Sequence, residues 1–428
     1  MELFERIVRR LSLFPTKSLG MVISHLSRYE AFSSYLRKKN VELLNHTGEI
    51  RKVLVISDVN IGDAVTIQSC IGALRYHFPD SEIDYAYNLA ADPIINRNPE
   101  ISNTFPIFTS SIRPSERDRS LVRGLCRAKA YDLVINFCPF LSSHNLRRTG
   151  YTVISPVGLI AEILNAKTKQ KGTANLAHRI NEYMNQLFSE IPEKTHSKKN
   201  TYSYSGIKIY LSSDVLTARN EYLRSFGISP DDVIVYFNPD TSNRYTFLDI
   251  RLQRILLRRL LSHGNFDFLM LGYGTTFKGI ERDLLTDIPT PLKNRLIALD
   301  KKVSLDTFTS LLDICTVFIT GDTGPMHIAA ARKICVNNAL VFRNRTAIVS
   351  MFGPTDPEVY GYDSFGSRYA KANQDAPSKI FEASPPCKDI TCSIQRVTNQ
   401  CSKARCFDGI DLDEIVEYVT RYVSSIEE

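Results

Sequence analysis

"VLVISDVNIGDAVTIQSCIGALRYHFPDSEID", residues 53–84, decides the fold. Val53-Leu54-Val55-Ile56 is a short apolar run of the kind that forms a buried strand, and Ser57 to Asp63 reads as the loop that leaves it. From Ala64 to His77 the apolar residues recur at helical spacing; Phe78-Pro79-Asp80 stops that helix, and Ile83 to Ala86 begins a second strand. The result is a β-α-β unit, the repeating piece of a parallel sheet covered by helices on its faces.

Strands of the same kind are predicted at 131–136 and 151–154, and a helix at 176–190. Pro192 to Ser205 is a polar connection rich in Lys, Thr, Ser and Asn, where a domain boundary is expected. Beyond it the pattern restarts. Val233 to Phe237 is a strand opening onto Asn238-Pro239-Asp240-Thr241-Ser242-Asn243-Arg244, and a basic helix is expected over 249–262. Phe268 to Leu271 is a strand, 305–315 a helix capped by Ser304, and 317–320 a strand that runs into "GDTGPMH", residues 321–327. Two doubly wound α/β halves follow, and in such sheets ligands bind outside the carboxyl ends of the strands.

The chain has 428 residues, 43% hydrophobic and 23% charged, enough for two buried cores. No apolar run is long enough to span a bilayer, and Glu2 and Glu5 stand where a signal peptide would carry only cations, so a cytoplasmic location is expected. A formal net charge of +7 suits an anionic partner, whether phosphate, nucleic acid or an acidic membrane face. Residues 1–50 read as a helical extension whose Arg6, Arg9, Arg10 and Lys17 flank an apolar stripe, either packed on the main body or resting on a membrane surface.

Three strand-end loops carry the chemistry. A helix start presents unpaired backbone N–H groups and the positive end of a dipole. In the 321–327 stretch Gly324 allows close approach of a ligand, and Pro325 suits a first helical turn because its missing N–H costs nothing there. Asp322 and Thr323 either cap the helix or contact ligand hydroxyls, and His327, one turn in, can give a proton or a hydrogen bond to a phosphate oxygen. In the first half, Gly62 precedes Asp63, which reads either as a helix cap kept ionised by the dipole or as a general base. The third loop holds Ser242 and Arg244, the latter a phosphate clamp or a solvated arginine. Neither G-x-G-x-x-G nor G-x4-G-K-[ST] occurs, which counts against a dehydrogenase or a P-loop nucleotidase.

Nine cysteines divide in two groups. Cys70, Cys126, Cys138, Cys315 and Cys335 lie in apolar contexts and read as buried structural thiols. Cys387, Cys392, Cys401 and Cys406 form C-x4-C-x8-C-x4-C, which suits a tetrahedral metal, free thiols or a disulfide.

Taken together, residues 53–84, "FNPDTSNRYTFLD" (237–249), "VSLDTFTSLLDICTVFITGDTGPMHIAAA" (303–331) and "MFGPTDPEVYG" (351–361) resemble glycosyltransferase family 9, the ADP-heptose:lipopolysaccharide heptosyltransferases. The resemblance implies a GT-B fold with two Rossmann-like domains facing across a cleft. Residues 51–205 would form the acceptor domain and 206–428 the nucleotide-sugar domain, with the cysteine cluster at 387–406. It implies an inverting transfer of heptose from ADP-heptose to an envelope glycan or glycolipid such as lipopolysaccharide core, with Asp63 as general base. Gly62, Ser242, Arg244, Asp322, Thr323, Gly324, Pro325 and His327 would bind the substrates, with Asp322, Thr323, Gly324 and His327 on the sugar nucleotide and its diphosphate. No cofactor is needed for transfer, no nucleic acid is a partner, and the cysteines resemble a structural zinc or iron finger of some relatives. Peripheral contact with the cytoplasmic face of the inner membrane is expected. Protein as acceptor, another nucleotide sugar used for capsule or O-antigen, and a non-catalytic scaffold are the alternatives. Arg147 and Arg148 are either acceptor contacts or solvated, Glu281 is either a ribose contact or part of a helix surface, and Phe352 to Pro357 shapes the site or simply turns.

Overall fold

The computed structural model describes residues 30–109, 114–138, 141, 152–154, 176–191, 207–239, 241, 248–272, 284–285, 288–299, 303–334, 346–355, 357–362, 378–383 and 406–427. The chain divides into two compact units, the first comprising Met1–Lys171 and Leu176–Ser205, the second Gly172–Asn175 and Gly206–Glu428.

The first unit is built on a five-stranded parallel sheet. Its strands are β1 (Lys52–Ile56), β2 (Glu82–Asn88), β3 (Asn103–Phe108), β4 (Leu133–Asn136) and β5 (Thr152–Ile154), in the order β3-β2-β1-β4-β5. β1 is buried from Val53 to Ile56 because both faces are covered: Leu54 and Ile56 meet the Val122 and Cys126 side of the Glu116–Lys129 helix. That helix is fixed at its start by a capping box, with Ser115 Oγ accepting from Asp118 N–H and the Asp118 carboxylate accepting from Ser115 N–H. Pro106 sits in β3 at the edge of the sheet, where a residue without an N–H does least damage to the ladder. Neither β3 nor the 116–129 helix is foreseen in the sequence reading, since β3 is half-buried and interrupted by that proline.

The expected helix over 64–77 is in fact two. Ile61–Ile67 and Ser69–His77 are joined through Gln68, and the first begins three residues earlier than the sequence pattern suggests. The helix Glu30–Asn45, the last part of the expected N-terminal extension, packs on this unit: Asn40 Nδ2 donates to Tyr183 Oη at 3.1 Å on the Leu176–Ser189 helix. Residues 1–29 lie outside the described residues.

The second unit repeats the plan with six parallel strands: β6 (Ile234–Asn238), β7 (Phe268–Leu271), β8 (Leu296–Ala298), β9 (Val317–Gly321), β10 (Ala347–Phe352) and β11 (Ser378–Glu382). Their order is β11-β10-β9-β6-β7-β8. Counted from β6, this is the 3-2-1-4-5-6 winding of dinucleotide-binding folds. One face (Val235, Phe237, Val317, Ile319, Val349, Met351) packs against the Ile250–His263 and Leu412–Glu427 helices. On the opposite face Tyr236, Phe308 and Phe318 meet edge to face at 5.3–6.1 Å.

Asp249 caps the 250–263 helix by accepting from Arg251 N–H, and Ser304 caps the Leu305–Leu311 helix by accepting from Thr307 N–H. The latter helix is shorter than expected, ending at Leu311 in place of Cys315. Cys70, Cys126, Cys138 and Cys315 are buried, as their apolar contexts suggest, while Cys335 lies outside the described residues.

Candidate active site

Winding from a central strand outward in both directions leaves a gap above the sheet between the two neighbouring strands at which the direction reverses. In the first unit that point lies between neighbouring β1 and β4, and the segment leaving β1 carries Gly62 and Asp63. In the second it lies between neighbouring β6 and β9, and the segment leaving β9 carries Asp322 to His327. Both loops singled out by residue type therefore sit where the topology of their own sheet opens.

Asp63 lies in the first turn of the Ile61–Ile67 helix, not ahead of it, and Asn60 occupies the cap position. Asn60 makes no side-chain capping bond, and Asp63 is an acidic first-turn residue, not the cap. Desolvation pushes its carboxyl up to about 6, which leaves it ionised at neutral pH. A seven-residue helix has a weak dipole, and no charge or hydrogen bond among the described residues opposes the desolvation. The residue is exposed to water, which works against the rise. A carboxyl shifted in this direction is a better proton acceptor near neutral pH than an ordinary aspartate. Five residues earlier, Asp58 is buried, its pKa raised mainly by burial against an opposing bond from the Cys138 thiol, and its Oδ2 has no partner among the described residues.

The second unit's loop has more internal order. The helix runs from Gly324 to Ile334, so Gly324 and Pro325 form its first turn as expected. The Thr323 hydroxyl lies 3.2 Å from that of Thr320 and donates to Gly321 C=O at 3.5 Å, which holds the turn. His327 is buried, with Nδ1 2.9 Å from Tyr362 Oη and Nε2 3.9 Å from an Asp322 carboxylate oxygen. Burial lowers the imidazole to about 4, so at neutral pH it is uncharged. The expectation that His327 gives a proton is narrowed to the gift of a hydrogen bond.

Beneath the loop, a polar row crosses the sheet. Asn238, Thr320 and Ser350 are in register on β6, β9 and β10, all buried, and Ser350 Oγ has no partner among the described residues. A polar residue near the end of an otherwise apolar strand is the visible signal for such a row, though only Asn238 stood out in the sequence. Tyr362 was missed altogether. It follows the short Pro357–Tyr360 helix through Gly361, where a Cβ would stand 2.5 Å from both Pro357 C=O and Ile380 Cδ1, so only glycine fits. Gly353 is equally tight, its Cβ position lying 2.6 Å from the Cys406 carbonyl oxygen. Gly353 thus lies close against the Cys406 carbonyl and the Phe407 ring.

Ser242 and Arg244 lie outside the described residues, as do Arg147, Arg148, Glu281, Cys387, Cys392 and Cys401. Cys406 is buried. Among the described residues no group of three or more His, Cys, Asp or Glu is placed to hold a metal ion.

Residues 119–397, well over half of the chain, match the sequence model of Glycosyltransferase family 9 (heptosyltransferase). The chain belongs to glycosyltransferase family 9. As a family 9 member it is an enzyme, a glycosyltransferase of the heptosyltransferase type. Lipopolysaccharide heptosyltransferase 3 of Escherichia coli is 23% identical over 311 residues, spanning 69% of this chain and 81% of the relative. A family 9 glycosyltransferase structure from Veillonella parvula superposes with a TM-score of 0.64 at 15% identity, covering 88% of this chain and 98% of the other. E. coli heptosyltransferase WaaC with ADP gives 0.52 at 14%, covering 87% and 99%. These likenesses establish the fold, that of the GT-B heptosyltransferases, for this family 9 chain.

Proposed function

We propose that this glycosyltransferase moves a heptosyl group from ADP-heptose to a lipopolysaccharide-core acceptor with inversion at the anomeric carbon. The roles divide between the units. In the second, the backbone N–H groups at the start of the Gly324–Ile334 helix face the diphosphate, with Asp322 and Thr323 on sugar or ribose hydroxyls and His327 as hydrogen-bond donor. Arg244 and Ser242 join this set on the strength of the sequence. In the first unit, Asp63 accepts the proton of the attacking hydroxyl. The acceptor oxygen forms its bond to the anomeric carbon as the bond to the diphosphate oxygen breaks, and the electron pair leaves with ADP. Negative charge grows on the diphosphate, and a helix start with a neutral N–H donor stabilises it without a metal.

The observation that carries this reading is the Asp322 to His327 turn at the topological opening of the second sheet, in a chain of this family. Similarity to lipopolysaccharide heptosyltransferase 3 supports the acceptor class. A glycolipid acceptor places the work at the cytoplasmic face of the inner membrane; among the described residues no helix is long and apolar enough to cross it.

Incubating the purified chain with ADP-heptose and a panel of lipopolysaccharide-core, capsular and protein acceptors tests the proposal. Transfer to core acceptors is expected; absence of turnover together with no stabilisation of the protein by ADP-heptose would sink it. A structural zinc or iron on Cys387, Cys392, Cys401 and Cys406 is proposed from their spacing. Near-zero metal content, unchanged in Cys387→Ser, would dismiss it.

A further inference from the structure

His327 has a second ring nitrogen, and the partner of that nitrogen decides what the first can do. A neutral imidazole carries one N–H and one lone pair, so a bond made at Nδ1 determines whether Nε2 donates or accepts. Here Nδ1 lies 2.9 Å from the Tyr362 hydroxyl, and the two rings stand edge to face at 5.7 Å and 76°. Both side chains are buried, and Tyr362 is only 2% exposed. Nε2 points to the side of Asp322, 3.9 Å from its carboxylate. A lone pair facing that carboxylate would be repelled, whereas an N–H facing it is attracted, most strongly where water is excluded. The proton therefore belongs on Nε2, which leaves Nδ1 as the acceptor and the tyrosine as the donor.

We propose that Tyr362 is a positioning residue whose O–H donates to Nδ1 of His327, holding the ring proton on Nε2 on the side of Asp322 at the head of the Gly324–Ile334 helix. Its use in transfer rests on the donor-site reading above: with the other tautomer, Nε2 would turn a lone pair toward the diphosphate and repel it. The backbone is built to keep the hydroxyl there. Gly361 N–H donates to Pro357 C=O at 2.8 Å, and the absence of a Cβ at Gly361 lets the chain pass between Pro357 and Ile380 into Tyr362. Burial also keeps the imidazole neutral, so the choice between tautomers is the only freedom left to it.

The test combines a spectroscopic and a binding readout on the full chain. Nitrogen-15 correlation spectra of the histidine rings should show His327 in wild type as neutral, with Nε2 protonated and Nδ1 bare. In Tyr362→Phe, which keeps the ring and loses the hydroxyl, a population with Nδ1 protonated should appear, and the Kd for ADP should rise about tenfold, the effect of one lost hydrogen bond of ordinary strength. Because Tyr362 acts through His327, adding Tyr362→Phe to His327→Asn should weaken ADP binding no further. A wild-type ring protonated at Nδ1 overturns the proposal, and that result needs no variant to fold. So does a Tyr362→Phe protein with unchanged tautomer and ADP affinity, or a further loss on the His327→Asn background. If wild type fails to bind ADP, the donor-site reading and the positioning role fall together, while the ring spectrum still decides the tautomer.

Discussion

At Asp63 and His327 the environment moves two titrating groups in opposite electrical senses to one end. Desolvation raises Asp63 toward neutrality, which suits a proton acceptor, and lowers His327 to about 4, which leaves it uncharged at neutral pH. If Asp63 is the base, its ionised form is the active one. Transfer then falls about tenfold per pH unit below a limb that lies above the ordinary aspartate value near 4 and no higher than about pH 6. A kcat/KM profile between pH 4.5 and 8 decides whether the limb is raised. For His327 the consequence is in stability. Its folded pKa lies below the unfolded one, so its contribution is complete above about 6.5 and is lost as pH falls toward 4, where the unfolded chain takes up the proton first. Thermal unfolding from pH 7 to 4 should therefore show a steeper decline in wild type than in His327→Asn; parallel curves would contradict the shift.

The helix that starts at Gly324 is pinned at its other end by Arg332, wholly buried. Its Nε donates to Asp313 at 2.8 Å, a second nitrogen pairs with the same carboxylate, and a third contact reaches Ile209 C=O at 2.6 Å. Helix position, and with it the aim of the N–H groups, depends on this anchor. Arg332→Met removes the hydrogen-bonded partner of the largely buried Asp313 carboxylate and is expected to cost roughly 3 kcal/mol, a loss read directly as a lowered Tm. Arg332→Met with Asp313→Leu should recover most of it; equal loss in single and double variants would show that the pair is incidental. Elements like this one explain what sequence could and could not reveal. β1, β6 and β9 are legible as apolar runs because both their faces are buried, and their carboxyl-end loops stand out by residue type. β3 carries a proline and a half-buried pattern, so it has no clean periodicity. The break at Gln68 leaves the apolar spacing on either side intact, and the pattern runs across it unchanged. Tyr362 is 35 residues from His327, and a contact made through folding leaves no local mark.

Across the molecule, two sheets with the same winding place a carboxylate at the opening of one and an anion-ready helix start at the opening of the other. In the proposed reading these two features serve a transfer that needs a base and a place for a departing diphosphate. Division of labour between the units is the central claim, and it predicts that the two functions separate on mutation. The measurement is titration of Asp63→Asn with ADP-heptose alongside turnover of the same variant on lipopolysaccharide-core acceptor. Donor affinity within about threefold of wild type with turnover reduced by about 10²–10⁴, the usual contribution of a general base, is the predicted result. Undiminished turnover, or a loss of donor affinity as large as the loss of turnover, would contradict it.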